Sequence, residues 1–148
     1  ENDEHLCQDD STDHVYDFDA YVREKYDGQA VPASPDAIHL GTKHLYFVEF
    51  KNQPARLIDK EKMRRKFTKG TGILRDLLSE FTPRDCKYNF CVVFKSQKKP
   101  PYFDSRHIEQ NVVQFGLDGL NAACDHFYDQ IITDDVRFFD QQFRELRC

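Results

Sequence analysis

Apolar residues in the first third of the chain change from helical spacing to strand spacing. Residues 14–26 show the helical interval, with apolar members Val15, Phe18, Val22 and Tyr26. Asp13 precedes them as a candidate helix cap. After a turn-rich stretch over 27–35, residues 36–40 and 45–51 alternate with the period of two that is typical of strands. The pattern therefore predicts a helix followed by two strands.

The remainder of the chain predicts three further helices and one buried strand. Residues 57–81 carry the longest helical pattern, with an apolar stripe made of Leu57, Met63, Phe67, Leu74, Leu77, Leu78 and Phe81. Gly70 and Gly72 are positions at which this helix is expected to kink or divide. Residues 88–94 are continuously apolar, as in a strand buried on both faces. Helical patterns over 105–132 and about 134–147 complete an order that predicts an α/β (α+β) fold, with a mixed central sheet flanked by helices.

Composition is compatible with one domain that has a substantial core. The chain has 148 residues, of which 39% are hydrophobic and 14% aromatic. We expect residues 1–13 to form a flexible acidic lead-in and residues 14–148 to form the domain. The acidic start lacks the apolar segment of a signal peptide, and no apolar run approaches the ~18 residues of a membrane span. We therefore expect no membrane partner, and we expect the chain to be a mature fragment or a module of something longer.

The cysteines indicate free thiols in a reducing, cytoplasm-like environment. There are five of them, an odd number, and they form no CxxC motif. Cys86 and Cys91 have poor spacing for a zinc site.

Charge is distributed very unevenly along the chain. The net charge is −5, but residues 51–75 contain nine Lys or Arg and two acids, a local +7 against −12 for the remainder. A concentrated basic segment on an acidic body indicates a polyanion-binding surface, and the alternative is a solvated helix face. The candidate nucleic-acid-binding residues are Lys60, Lys62, Arg65, Lys66 and Lys69.

Three charged residues, Asp36, Glu49 and Lys51, lie on the apolar faces of the two predicted strands. If the turn is centred on residues 42–43, paired positions sum to 85, and Asp36 falls opposite Glu49. Directly opposed carboxylates repel each other, and buried charges are costly without partners. A divalent cation between them would remove both costs, and oxygen ligands suit Mg²⁺ or Mn²⁺. The alternative is a simple Glu49–Lys51 ion pair on an exposed strand, which requires Leu45 and Phe47 to be exposed as well.

The same residues resemble a family signature. Pro35-Asp36, a step of thirteen residues, and then Glu49-Phe50-Lys51 are similar to the PD-(D/E)xK motif of restriction-endonuclease-like nucleases, and the resemblance covers about residues 14–95. It implies a restriction-endonuclease-like core whose N-terminal hairpin carries the site. Asp36, Glu49 and the backbone carbonyl of Phe50 would hold Mg²⁺ or Mn²⁺. Lys51 would position or activate the attacking water.

Further site residues follow from the same resemblance. Many members carry another acid on the first helix, where Asp19 and Glu24 compete. At ~100° per residue, Asp19 lies on the apolar side of this helix and Glu24 on the opposite side, so Asp19 is the preferred further metal ligand. Some members place a Gln or Lys on the helix after the motif. Gln53 and Lys60 are the candidates for that position, with a solvated role as the alternative.

The resulting expectation is a metal-dependent nuclease that hydrolyses phosphodiester bonds, with DNA favoured over RNA by the habit of the family. Such a module resembles the nuclease domain of a toxin or effector, for which a protein inhibitor or a parent polypeptide would be a further partner. The alternatives are a non-catalytic, immunity-like or adaptor-like protein-binding module on the same fold, and an unrelated interaction domain with a chance motif.

Overall fold

A computed structural model describes residues 15–27, 29–79, 86–95 and 113–142 of the chain. The elements in chain order are β1 (Val15–Asp17), α1 (Phe18–Lys25), β2 (Ala37–Leu40), β3 (His44–Lys51), α2 (Lys60–Ser79), β4 (Lys87–Phe94), α3 (Leu117–Ala123), β5 (Gln130–Asp135) and α4 (Val136–Gln142). A short 3₁₀ turn, Ala55–Leu57, precedes α2.

The strands form one mixed sheet in the order β1-β2-β3-β4-β5. The β1, β2 and β3 strands are antiparallel, whereas β4 and β5 continue from β3 in parallel. Ile38 lies opposite Phe47 and Leu40 opposite Leu45, so the predicted hairpin register is confirmed over residues 37–40, whereas Asp36 precedes the paired strand. The predicted α+β class, a mixed sheet flanked by helices, is also confirmed.

The sheet is packed on both faces. On one face, α1, α2 and α3 bury the larger core, where Phe67 of α2 contacts Phe90 and Tyr128 with ring centroids 4.8 and 5.2 Å apart. On the other face, Phe139 of α4 packs in a smaller cluster with alternate residues of β3, β4 and β5. The period of two along β3 therefore assigns Leu45, Phe47, Glu49 and Lys51 to the face that α2 covers.

The helix α2 continues for 20 residues through Gly70 and Gly72, so the predicted division at these glycines is wrong. Gly70 serves a different purpose, because it lets the helix approach Pro35 closely. A Cβ atom at Gly70 would lie 2.4 Å from Cδ of Pro35, whereas one at Gly72 would meet nothing within 4 Å. Leu57, predicted to lie in this helix, is in the preceding 3₁₀ turn, and Phe81 lies outside the described residues.

The first predicted helix begins later than its apolar spacing indicated. Residues 15–17 pair with β2 as a strand, and the helix starts at Phe18. The cap is Asp17, whose carboxylate accepts the N–H of Ala20 at 2.8 Å. Asp13, the predicted cap, lies outside the described residues, as does the lead-in over 1–13.

The helix predicted over 105–132 is wrong at its C-terminal end, where Gln130–Asp135 forms the strand β5. Residues 105–112 lie outside the described ranges. The chain leaves α3 through Asp125 and His126, which both have positive φ angles. The Asn121 side chain then holds the backbone of Tyr128 through two hydrogen bonds of 2.9 and 3.0 Å. This turn directs the following residues into the sheet beside β4.

The last predicted helix is present in part as α4, whose start is set by a cap. Asp135 Oδ1 accepts the N–H groups of Arg137 at 3.0 Å and Phe138 at 3.2 Å. Residues 143–147 of that prediction lie outside the described ranges.

Three of the five cysteines lie in the described residues, where the expectation of free thiols applies. Cys86, Cys91 and Cys124 are free, and Cys7 and Cys148 lie outside the described residues. Within the ranges that the structure describes, no helix is both long enough and apolar enough to cross a bilayer.

Substituting the two glycines of α2 separately tests the close contact with Pro35. We expect Gly70→Ala to lower the free energy of unfolding by about 1–3 kcal/mol, because the new methyl group overpacks against a buried proline ring. We expect Gly72→Ala, the matched control in the same helix, to raise it by about 0.5–1 kcal/mol. Urea denaturation of both variants measures the difference, and equal effects would show that Pro35 does not constrain α2.

Candidate functional site

The acid of the motif on β3 is buried. The Glu49 side chain is 0% exposed, and its neighbours on the same face, Leu45 and Phe47, are 6% and 1% exposed. The interpretation of Glu49–Lys51 as an ion pair on an exposed strand required both apolar neighbours to be exposed, so it is contradicted.

Asp36 lies just before β2, where it links the hairpin to α1. Its N–H donates to the carbonyl of Val48 at 3.1 Å. Its own carbonyl accepts the N–H groups of Phe18 at 3.0 Å and Asp19 at 3.3 Å, at the start of α1. The carboxylate Oδ2 accepts the N–H of Phe50 at 2.8 Å, which fixes the side chain against the end of β3.

A lysine from α2 lies between the two carboxylates. The Nζ atom of Lys66 is 2.9 Å from Asp36 Oδ1, 2.8 Å from Glu49 Oε1 and 3.0 Å from Glu49 Oε2. The sequence assigned Lys66 to a basic helix face and did not place it beside the acids. Local sequence spacing carries no signal for this placement, because the partners of Lys66 lie 30 and 17 residues away along the chain and are determined by how α2 packs.

The second lysine of the cluster comes from β3 itself. Lys51 donates to Glu49 Oε1, and both Lys51 and Lys66 side chains are 24% exposed. Asp36, Glu49, Lys51 and Lys66 together form what we call the four-charge cluster. Its formal charges cancel when all four groups are ionised.

Burial and neighbouring charges shift two pKa values in this cluster. Burial raises the pKa of Glu49, and the nearby Asp36 charge raises it further, against opposing effects of Lys51 and Lys66. Burial alone would lower the pKa of Lys66, but hydrogen bonds and charges from Glu49 and Asp36 outweigh it and raise that pKa. Lys66 is therefore held as an ammonium ion, while Glu49 has the weakened acidity of a buried carboxyl.

The carboxylate of Asp19, the preferred first-helix acid, has partners outside the four-charge cluster. Asp19 Oδ1 accepts the hydroxyl of the buried Ser34 at 3.0 Å, and its other carboxylate oxygen pairs with Arg23 one turn later. Its backbone is adjacent to Asp36, but its carboxylate is directed to these two partners. Glu24 is exposed on the outer side of α1.

The remaining predicted basic residues lie on the surface of α2. Lys60, Lys62, Arg65 and Lys69 are exposed. Gln53, the other candidate for a helix position after the motif, precedes α2 in the chain and is half-buried. At about 100° per residue, Lys62, Lys66 and Lys69 fall within an arc of about 60°, and Lys60 lies outside it. Lys66 is thus at the edge of a basic arc, between solvent and the carboxylates. Asp59 begins this helix, because its carboxylate accepts the N–H of Lys62 at 3.0 Å.

The donor set fits a hard divalent cation better than zinc. Asp36 and Glu49 place carboxylate oxygens within 3.0 Å of one cationic atom, the Lys66 Nζ. Mg²⁺ is commonly held by one or two carboxylates that are supplemented by water and substrate phosphates. Within the described residues, no group of three or more His, Cys, Asp or Glu side chains converges as a ligand set.

The raised pKa of Glu49 predicts a pH-dependent effect of Glu49→Gln. A carboxyl whose pKa is higher in the folded state contributes stability below its unfolded value, about 4.5, and this contribution is lost as pH rises through the folded pKa. The stability of Glu49→Gln relative to the parent should therefore increase as pH rises above about 4.5. Urea denaturation between about pH 4 and pH 8 measures this difference.

The control for that measurement is Glu24→Gln, which neutralises an exposed acid. Its stability should differ from the parent by no more than about 0.5 kcal/mol across the same range. A relative stability of Glu49→Gln that falls with rising pH would contradict the assigned pKa direction.

No family model, curated protein or solved structure matches this chain.

Proposed function

We propose that this protein is a metal-dependent nuclease that uses Mg²⁺ or Mn²⁺ to hydrolyse phosphodiester bonds, with DNA favoured over RNA. The observation that carries the proposal is the convergence of Asp36 and Glu49 on a single cation position at the end of a hairpin, with Lys51 beside them. The PD-(D/E)xK resemblance supplies the reaction class.

The order of elements supports a restriction-endonuclease-like core as part of this proposal. An antiparallel hairpin carries the motif, α2 follows it, and β4 returns parallel to β3. The helix α2 consequently crosses the face of the sheet on which Glu49 and Lys51 lie. This connection brings a basic helix to the end of the hairpin that carries the acids.

Each residue has a defined task in the proposed reaction. Asp36 and Glu49 hold the cation, the Phe50 carbonyl is a further ligand, and the Phe50 N–H orients Asp36. When bound, the metal polarises the scissile phosphate and stabilises the charge that develops on it. Lys51 orients the attacking water and favours its deprotonation. The exposed residues of the basic arc, Lys62 and Lys69, together with Arg65, contact backbone phosphates.

A non-catalytic protein-binding module on the same fold is the second candidate. The observation that favours it is the Lys66 ammonium, which already neutralises the carboxylates without any metal. A module of this kind would use the four-charge cluster only to fasten α2 to the sheet. Incubation with plasmid DNA and with RNA, in Mg²⁺, Mn²⁺ or EDTA, separates the two candidates. We expect cleavage that EDTA abolishes, and intact nucleic acid under every condition would favour the binding module.

Two substitutions in the motif should have different effects. Glu49→Ala removes a metal ligand, so we expect loss of both Mn²⁺ binding and cleavage. Lys51→Ala leaves the acids in place, so it should bind Mn²⁺ but lose about 10²–10⁴-fold in rate. Calorimetry measures metal affinity, and gel assays measure cleavage. Cleavage by Lys51→Ala at the parent rate would refute the role of Lys51, and parent-like metal binding by both variants would refute the site.

Substitution of the exposed basic residues should change the salt dependence of nucleic-acid binding. Lys62→Ala, Arg65→Ala and Lys69→Ala each remove one phosphate-binding charge, so each should flatten the slope of log K against log salt by about 0.7–0.9. Lys87→Ala, which removes an exposed lysine at the start of β4, is the matched control and should leave the slope unchanged. Unchanged slopes in the three α2 variants would assign these residues to a solvated face.

A further inference from the structure

Lys66 and a divalent cation cannot occupy the convergence point of the two carboxylates together. The ammonium is within 3.0 Å of oxygens from both Asp36 and Glu49. A Mg²⁺ ion bound to the same oxygens at about 2.0–2.1 Å would lie close to the ammonium and repel it. Binding of the metal therefore requires Lys66 to leave.

We propose that Lys66 is an exchangeable internal counter-ion, which neutralises the acids before metal binds and moves to a nucleic-acid phosphate when metal takes its place. This inference rests on the proposed nuclease function and adds a mechanism of regulation to the same site. It assigns Lys66 two positions, one on the carboxylates and one in the basic arc of α2.

The surroundings of Lys66 allow both positions. Its side chain is 24% exposed, whereas the Glu49 side chain is 0% exposed, so the lysine reaches the buried acid from the solvent side. Lys62 and Lys69 are four residues before it and three after it, and residues at these separations are neighbours on a helix. Rotation of the flexible lysine side chain away from the acids would add its ammonium to those of two exposed lysines. A phosphate on that arc would then replace the carboxylates as its partner.

A reciprocal coupling between metal and nucleic acid follows from this exchange. Metal favours the outward position of Lys66 by occupying the inward one, and a phosphate favours it by direct contact. Each ligand therefore strengthens binding of the other through the same side chain, and linkage requires the two effects to be equal in free energy.

The first test compares Mn²⁺ affinity in variants of Lys66 by calorimetry. Lys66→Met removes the competing ammonium, so it should bind Mn²⁺ at least about fivefold more tightly than the parent, the lower end of typical coupling between sites. Lys62→Met, which removes the same charge one turn earlier, should change Mn²⁺ affinity much less. Lys66→Arg keeps the cation and should bind Mn²⁺ no more tightly than the parent. Circular dichroism confirms folding, and if Lys66→Met fails to fold, Lys66→Gln, which also removes the ammonium but keeps a polar side chain, takes its place in the comparison.

The results separate this inference from the proposed function. Metal binding by the parent with equal or weaker binding by Lys66→Met would overturn the exchange and leave the metal site intact. Tighter binding by Lys66→Arg would overturn it in the same way. Absence of Mn²⁺ binding in the parent and in Lys66→Met would overturn both the metal site and the exchange.

The second test measures the coupling itself, in the Lys51→Ala background so that cleavage is slow. Mn²⁺ affinity is determined with and without a saturating short DNA duplex. The enhancement by DNA should be at least about fivefold smaller when Lys66→Met is added than when Lys87→Met, which removes an exposed lysine outside the basic arc, is added. Equal enhancement in the two double variants would overturn the transfer of Lys66 to phosphate.

Discussion

The buried carboxylate of Glu49 is the constraint on which the arrangement of this site depends. A carboxylate out of contact with water is costly unless it is paired and hydrogen-bonded, and a second acid beside it adds repulsion. Lys51 from the same strand and Lys66 from α2 offset this cost. Because an apolar replacement of a buried charge pair is often at least as stable, packing alone does not explain why an acid occupies this position. The proposed binding of a divalent cation would give a reason for the acid that packing does not.

A steric contact at Gly70 and an ion pair at Lys66 both hold α2 against the segment that contains Pro35 and Asp36. Gly70 allows the helix backbone to approach Pro35, and Pro35 directly precedes Asp36. One turn earlier, Lys66 reaches Asp36 from the same side of the helix. A larger residue at position 70 would force the helix away from Pro35 and would lengthen the distance that the lysine must span. The glycine and the lysine are therefore parts of one docking arrangement, and the apolar stripe of α2 provides its remaining stability.

Features that depend on local periodicity could be predicted from the sequence, and features that depend on tertiary contacts could not. The register of the hairpin followed from its short turn and from alternation along both strands. The strand Gln130–Asp135 was missed because its few apolar residues also fit a helical period, and only pairing with β4 decides between the two. The position of Lys66 was missed for a related reason. It lies 30 residues from Asp36 and 17 from Glu49, so its partners are determined by how α2 packs.

The charge balance of the four-charge cluster explains how the proposed metal site can coexist with a stable fold. Two acids and two lysines cancel formally, so the protein needs no metal to neutralise a buried pair of carboxylates. In the proposed mechanism a divalent cation adds two positive charges to a cluster that was neutral. With the cation bound, the site would have a net positive charge beside a basic helix. This positive charge would complement the negative charge of a phosphodiester backbone. Under this proposal the same two acids serve stability when they hold Lys66 and attract the substrate when they hold a metal, because the lysine that they release would remain on the helix proposed to face the nucleic acid.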